Sequence, residues 1–333
     1  MEMEEYHNGS INPFISLKDR FDDSNEEAYT PRGPYLDFAK SNILSNKVVT
    51  LGDKVPQNQY KFTDELVEYP ITIGIYGLEQ YSKLAVYRQT PKSGYVKGDK
   101  TSSDFIHSFK NVVEWVINNQ DPGSGAWNIS FDYEFAGGRC GPSIDAPWPS
   151  SLAQGYSLSV LARASFLEEE FTTGELKKLP ELSERALAPF RLDSNSGGFV
   201  TYFTDRLSLP FYEEYPTLFP SRVLNGFMFS LIGLYDCYTV FDINEAKNLF
   251  DEGMITLMHV LPYYDLGNRS AYDLSHLNYP SSREHFSPNP ARAGYHHTHL
   301  KLLHALNSVS HFSMEELISR WSMYLEGGSL RNN

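Results

Sequence analysis

Apolar positions in this chain recur mostly at three- and four-residue spacing. Residues 103–119 place Phe105, Ile106, Phe109, Val112, Val113, Val116 and Ile117 on one helical face, behind a favourable capping sequence. The same periodicity predicts helices over 151–167, 222–238, 244–261, 298–309 and 313–325, and one over 174–190 that is imperfect at Pro180. Residues 64–83 read as a helix interrupted at Pro70 and Gly77. Strand signals are short: KVVTL at 47–51, a small hairpin over 84–95, and a hairpin or strand over 194–203. The first 60 residues are polar and broken by Pro13, Pro31, Pro34 and Pro56, and read as an arm. Residues 61–327 then form one helical domain and 328–333 a tail. Short loops between helices with wide apolar faces predict a mainly α fold. Helical hairpins would pack as an (α/α) toroid, or barrel, accompanied by the irregular arm and small β-hairpins. A site would lie at one end, where the inter-helix loops converge.

Composition narrows the function classes. The 333 residues are 41% hydrophobic, enough for a large core, and include 22 Tyr, whose flat amphipathic rings suit sugars as well as cores. A net charge of −14 argues against non-specific nucleic-acid binding. A polyanion would need a local basic patch, and Lys83, Arg88, Lys92, Lys97 and Lys100 are the visible cluster; a solvated basic loop explains it equally well. The two cysteines, Cys140 and Cys237, permit one disulfide without requiring it and do not support a zinc site. The start MEMEEYHNGS has no signal-peptide pattern, and no apolar run reaches membrane-spanning length. The expectation is a cytoplasmic protein without a membrane partner.

The candidate chemistry gathers in three tyrosine-centred segments. Residues 211–236 open with Tyr212, Glu213, Glu214 and Tyr215, then Pro216 and Pro220, ahead of an apolar helix. A carboxylate and a phenol at the mouth of a buried helix are costly unless hydrogen-bonded or used in chemistry. Residues 271–277 (AYDLSHL) and 289–300 (NPARAGYHHTHL) follow. These groups move protons. The lone G-x-G at Gly123 and Gly125 lacks the strand-to-helix context of a nucleotide site, and no cofactor is expected. The spacing of His296–His299 admits a metal, but no carboxylate or cysteine completes a set, so none is expected.

In wording, order and spacing, YEEYPT…VLNGFMFSLIGLYD, LPYYDLGN…YDLSH and NPARAGYHHTHL resemble the C-terminal domain of the D-glucuronyl C5-epimerases. The segments at 69–83 (YPITIGIYGLEQYSK) and 115–163 resemble the same family, so the likeness spans roughly residues 60–327. It implies an (α/α) fold and an isomerase that converts glucuronate to iduronate within a heparosan-like polysaccharide. Such a reaction removes the proton at C5 and returns one to the opposite face. It implies Glu214 and Tyr295 as the opposed acid/base pair, with Tyr215 and Tyr272 assisting. Asn225 matches the family's VLNGF asparagine, for a sugar hydroxyl; Gln154 sits in a similar AQG segment facing the cleft.

Physical reasoning adds to this. Glu214, if desolvated, is raised toward neutrality, and Tyr295 serves as a base only if Arg292, His296, His297 and His299 lower it. His296 and His299 also count as substrate contacts, and Trp127 and Trp148 as stacking platforms. The sequence departs from the family at Ser275, where animal members carry Arg; Arg222 or Arg292 then clamps the uronate carboxylate. It departs again in lacking the long β-rich insert, with only residues 84–103 in its place. Without that insert the chain acts on a shorter or different glycan, or a partner chain in a homodimer walls the site. Two alternatives stay open: a polysaccharide lyase that begins with the same C5 deprotonation, and a non-catalytic uronate-glycan-binding protein.

Overall fold

The computed structural model describes residues 16–17, 28–42, 44, 48–49, 54–59, 65–89, 101–203, 208–278 and 286–327. Of the expected basic cluster, Lys92, Lys97 and Lys100 lie outside the described residues, as does the second half of the hairpin expected at 84–95.

The architecture is mainly α. Among the described residues eight helices carry the core: α1 Pro70–Gln89, α2 Ser102–Asn119, α3 Ser151–Ala164, α4 Thr173–Arg185, α5 Leu224–Phe241, α6 Asn244–Val260, α7 Ala293–Val309 and α8 Glu315–Leu325. Helices α1, α3, α5 and α7 pack side by side in that order, and α2, α4, α6 and α8 back them from outside, each against its predecessor in the chain. The burial follows. Every residue of α3 is buried, and so are most of α1 and α5, whereas α2 buries one stripe: Phe105, Phe109, Val112, Val113 and Val116. The helices thus form one row backed by a second.

Close helix contact explains the small residues. A Cβ on Gly233 would lie 2.4 Å from the Gly155 carbonyl oxygen, so α3 and α5 cross with their backbones touching. The expected break at Gly77 is a similar contact: α1 runs through it unbroken, and a Cβ there would meet Val112 at 2.6 Å. Pro70 is the first residue of α1, where its missing N–H costs nothing, so the helix starts there and continues to Gln89 through the start of the expected hairpin. Helices α2 and α4 open with Thr–Asp and Thr–Glu capping boxes, at Thr101/Asp104 and Thr172/Glu175.

The strands are short and antiparallel. β1 (Ser16–Leu17) pairs with β9 (Phe312–Ser313), β2 (Val48–Val49), β3 (Gln57–Gln59) and β4 (Leu66–Glu68) form a meander, β5 (Val200–Tyr202) pairs with β6 (Pro210–Tyr212), and β7 (Ala271–Asp273) with β8 (Asn289–Pro290). Part of the expected arm is embedded in the core. Tyr35 is fully buried, its N–H donates to Ser82 Oγ (2.8 Å), and its ring contacts Tyr156 and Phe229. Beside it Arg163 and Asp236, both inaccessible, pair at 2.7 Å, and the Tyr29 hydroxyl donates to both Asp236 oxygens at 2.9 Å. This network ties α3 and α5 to residues 28–42. Cys140 and Cys237 are buried free thiols, so the permitted disulfide does not form. Among the described residues no helix is long and apolar enough to cross a membrane.

Candidate active site

Hairpin β5–β6 delivers the chain into the turn that holds both glutamates. Glu213 is fully buried and structural: its carboxylate accepts from Thr201 Oγ1 (2.7 Å), Ser221 Oγ (3.0 Å) and the Arg222 N–H (2.8 Å). The last bond is made with Arg222 at φ 52°, an uncommon left-handed conformation for a residue with a side chain. The Glu213 carbonyl accepts the Ser151 N–H at the start of α3 (3.1 Å), which fixes the turn between two inner helices.

Glu214 is set differently. It is buried, yet its Oε2 has no hydrogen-bond partner among the described residues. The carboxyl lies against the first turn of α5, where a Cβ on Gly226 would meet Oε2 at 2.5 Å and the Glu214 Cβ at 2.6 Å. Only glycine leaves that space. Burial pushes the Glu214 acid up to about 7, against a lowering hydrogen bond from Tyr215, and Glu213 raises it further. One position earlier on α5, the buried Asn225 Oδ1 is also unpartnered. Two desolvated acceptors without donors therefore lie side by side at the start of α5, an arrangement that is costly in a native interior.

Phenols surround this carboxyl. Tyr215 lies in an aromatic stack with Tyr133 (4.9 Å, 12°), Phe135 (4.9 Å) and Trp148 (6.1 Å). Tyr272 on β7 and Tyr295, the third residue of α7, meet edge to face at 4.8 Å. Tyr69, immediately before α1, packs on Phe131 at 5.2 Å. Burial pushes every one of these phenols above its usual value, and the Glu214 charge adds to the rise in each. At neutral pH they are proton donors. Tyr295 is 43% exposed, so the cluster opens to solvent on its side. Arg292, exposed at the N-cap of α7, partly offsets the rise in Tyr295.

The family described as D-glucuronyl C5-epimerase C-terminus matches residues 120–323, which carry all of this cluster except Tyr69. The chain belongs to this family. It is 32% identical to a D-glucuronyl C5-epimerase of Caenorhabditis elegans over 245 residues, 68% of this chain and 36% of that protein. It is also 23% identical to an uncharacterized protein of Methanocaldococcus jannaschii over 239 residues, 65% of this chain and 74% of the other. The chain thus spans about a third of the length of the C. elegans epimerase.

Against the C5-epimerase motifs, the fold brings Glu214, Tyr215, Tyr272, Tyr295, Asn225 and Arg292 to one end of the inner helices. It takes others away. Trp127 is fully buried, and its Nε1 donates to the Val116 carbonyl (2.8 Å), so it is core and no stacking platform. Trp148 is likewise buried, serving the site through Tyr215. Gln154 is buried and donates to the Gly125 and Ala186 carbonyls, both at 2.8 Å; it ties loops together and faces no cleft. His296 Nδ1 accepts the Ser270 N–H (3.1 Å), so its Nε2 carries the proton and donates to the Trp321 carbonyl (3.0 Å). His299 is fully buried against Ser270 and Trp321, and burial lowers it to about 3. Both are neutral packing residues between α7 and α8. They neither meet substrate nor lower Tyr295, whose phenol is raised overall. Among the described residues no cluster suits a metal ion.

Arg222 sits between the two groups. Its guanidinium donates to Asn278 Oδ1 (3.1 Å) and lies over Phe203, with Nε buried and unpartnered. Tyr69 and Tyr133 were not singled out from sequence. Tyr69 opens a segment that carries the family likeness, and Tyr133 lies in FDYEF, an alternating strand-like pattern inside a loop.

Proposed function

We propose that this chain epimerises D-glucuronate residues of a heparosan-like polysaccharide at C5. The observation that carries the reading is Glu214: a buried carboxyl held near 7, with an unpartnered oxygen, among phenols that stay protonated. A general base works best with its ionisation near the working pH.

The uronate carboxylate docks at the start of α7, on the Arg292 guanidinium and the free N–H groups of the first helical turn. Glu214 takes the C5 proton; the C5–H bond breaks, and its electron pair moves into the carboxyl group as an enolate. Negative charge on the carboxyl oxygens is met by Arg292 and by phenol hydrogen bonds from Tyr215 and Tyr272. Tyr295 then gives its hydroxyl proton to the opposite face of C5, which forms the iduronate. The exposed Tyr295 regains a proton from water and Glu214 releases its own, so the cycle is balanced without a redox cofactor. Asn225 and Glu214 Oε2 accept sugar hydroxyls, which supplies the missing donors.

Incubating the full chain with unsulfated heparosan in D2O, followed by NMR, tests this. Deuterium at C5 together with iduronate is the expected result. Deuterium with unsaturated chain ends would move the reading to a lyase, and absence of exchange would refute both.

A further inference from the structure

Glu213 stands next to the proposed base, yet its own carboxylate is fully buried. What it holds comes from separate stretches of chain. Oε1 accepts from Thr201 Oγ1 on β5 (2.7 Å), and Oε2 accepts from Ser221 Oγ (3.0 Å) and from the Arg222 N–H (2.8 Å). Its backbone is pinned as well. The Glu213 N–H donates to the Phe199 carbonyl (2.8 Å), and its carbonyl accepts the Ser151 N–H at the start of α3 (3.1 Å). The side chain thus closes residues 214–222 into a loop, and the near end of that loop is fixed to two other parts of the fold.

The far end of the loop bears on the site in two directions. Val223 is the N-cap of α5, so the bond to the Arg222 N–H places the first turn of α5, where Gly226 admits the Glu214 carboxyl. In the other direction, the Ser221 carbonyl accepts the Leu274 N–H (3.1 Å) and the Pro220 carbonyl accepts Asn278 Nδ2 (2.6 Å). Leu274 directly follows β7, the strand of Tyr272. Asp273, also fully buried, accepts from the Ser275 N–H (2.9 Å), Ser275 Oγ (2.6 Å) and Asn289 Nδ2 (2.6 Å), which secures that strand to β8. Hydrogen bonds therefore lead from the Glu213 carboxylate through Ser221 to the segment that carries Tyr272. The Arg222 bond is made at φ 52°, a conformation that persists only where the surroundings hold it.

We propose that Glu213 is a positioning residue for the C5 reaction: its grip on residues 221–222 fixes the Glu214 carboxyl against α5 and keeps it in place relative to Tyr272. Removing the carboxylate leaves two hydroxyls and the Arg222 N–H without an acceptor in the interior, and the left-handed turn at Arg222 loses the bond that closes it. The start of α5 and the segment after β7 are then free to shift against Glu214. A misplacement of about 1 Å at a reacting group costs about a hundredfold in rate. Binding of the uronate rests on Arg292 and the first turn of α7, which Glu213 does not touch.

The proposal rests on Glu214 being the base, and its test separates the two. In the full chain, Glu213→Ala should lower kcat for C5 exchange on unsulfated heparosan about a hundredfold per folded molecule and leave KM within about twofold. Glu213→Gln keeps the tethers, because the amide oxygen accepts from Ser221 and Arg222 and the amide N–H donates to Thr201 Oγ1. It should recover most of the lost turnover. Ser221→Ala removes one donor of the three and should lower kcat about fivefold, which keeps the test available if Glu213→Ala does not fold. Without any substrate, crystal structures of wild type and variant should show the Glu214 carboxyl displaced from Gly226 in the variant by about 1 Å. Wild-type kcat in a folded Glu213→Ala protein would overturn the proposal. So would a fall in kcat accounted for by the unfolded fraction alone, since that is the mark of a purely structural role, or a Glu213→Gln protein as slow as Glu213→Ala. An unmoved Glu214 carboxyl would overturn it too. If wild type shows no exchange but the carboxyl still moves in the variant, the positioning stands and the substrate reading fails.

Discussion

The state of Glu214 has a consequence for stability that needs no substrate. Burial raises this carboxyl from 4.5 to about 7, so between those values the folded chain holds a proton that the unfolded chain has released. Folding is then favoured at low pH, and this contribution is lost as pH rises from the unfolded value through the folded one. At 1.36 kcal/mol per pH unit, the upper bound is about 3 kcal/mol by pH 8. Glu214→Gln removes the ionisation and keeps the shape. Replacing the acid with an amide shifts stability by a constant amount, so the informative quantity is how the difference between the two proteins changes with pH. Urea unfolding of both at intervals from pH 4.5 to 8 measures it, since the slope with denaturant is shared. The variant should gain on wild type by about 2–3 kcal/mol across that window, with most of the change between pH 5 and 7. Parallel curves would refute a desolvated Glu214 and, with it, the argument for a base near neutrality.

Gly226→Ala should lower turnover about a hundredfold, because the new Cβ must push Glu214 aside by roughly 1 Å, although alanine is the better helix former; unchanged C5 exchange kinetics would contradict the contact. Tyr295→Phe should abolish iduronate formation while deuterium still enters glucuronate at C5, since Glu214 can take and return a proton on its own face; NMR that shows iduronate at the wild-type rate would remove Tyr295 from the role of acid. Arg163→Met strands the buried Asp236 charge and should cost about 3–5 kcal/mol in urea unfolding; a loss under about 1 kcal/mol would mean that Asp236 is rescued elsewhere. C5 exchange should have an acid limb centred near 7, the value of Glu214, when its rate is followed against pH; a limb near 4 would point to an exposed carboxylate.

The helices were legible because each outer one carries a clean apolar stripe, as α2 does through Phe105, Phe109 and Val116. Where the reading failed, a contact distant in sequence decided the outcome. Gly77 looked like a break and is the point where α1 touches Val112; Pro70 looked like an interruption and is a helix start. The polar, proline-rich arm gave no hint that Tyr29 and Tyr35 would close a buried Arg163–Asp236 pair. At the site, motif likeness located Glu214, Tyr215, Tyr272 and Tyr295. It did not separate groups that face the carboxyl from groups that share their segment. Tyr295 and His296 are adjacent, yet the roughly 100° between neighbours on α7 sends the first to Tyr272 and the second to Trp321. Trp127 looked like a sugar platform because its type suits one, and only burial shows that it is core. Tyr133 was passed over because it lies between the stretches of 115–163 whose wording carries the likeness, although the alternation from Phe131 to Phe135 was there to be read.

The most direct test of the account is deuterium incorporation at C5 of unsulfated heparosan, N-acetylated and N-deacetylated, by wild type and Glu214→Gln side by side in D2O. The account predicts deuterium at C5 and new iduronate signals with wild type, and loss of deuterium entry into glucuronate in the variant while its fold persists. Equal exchange by the two proteins, or none by a folded wild type on either polymer, would contradict it.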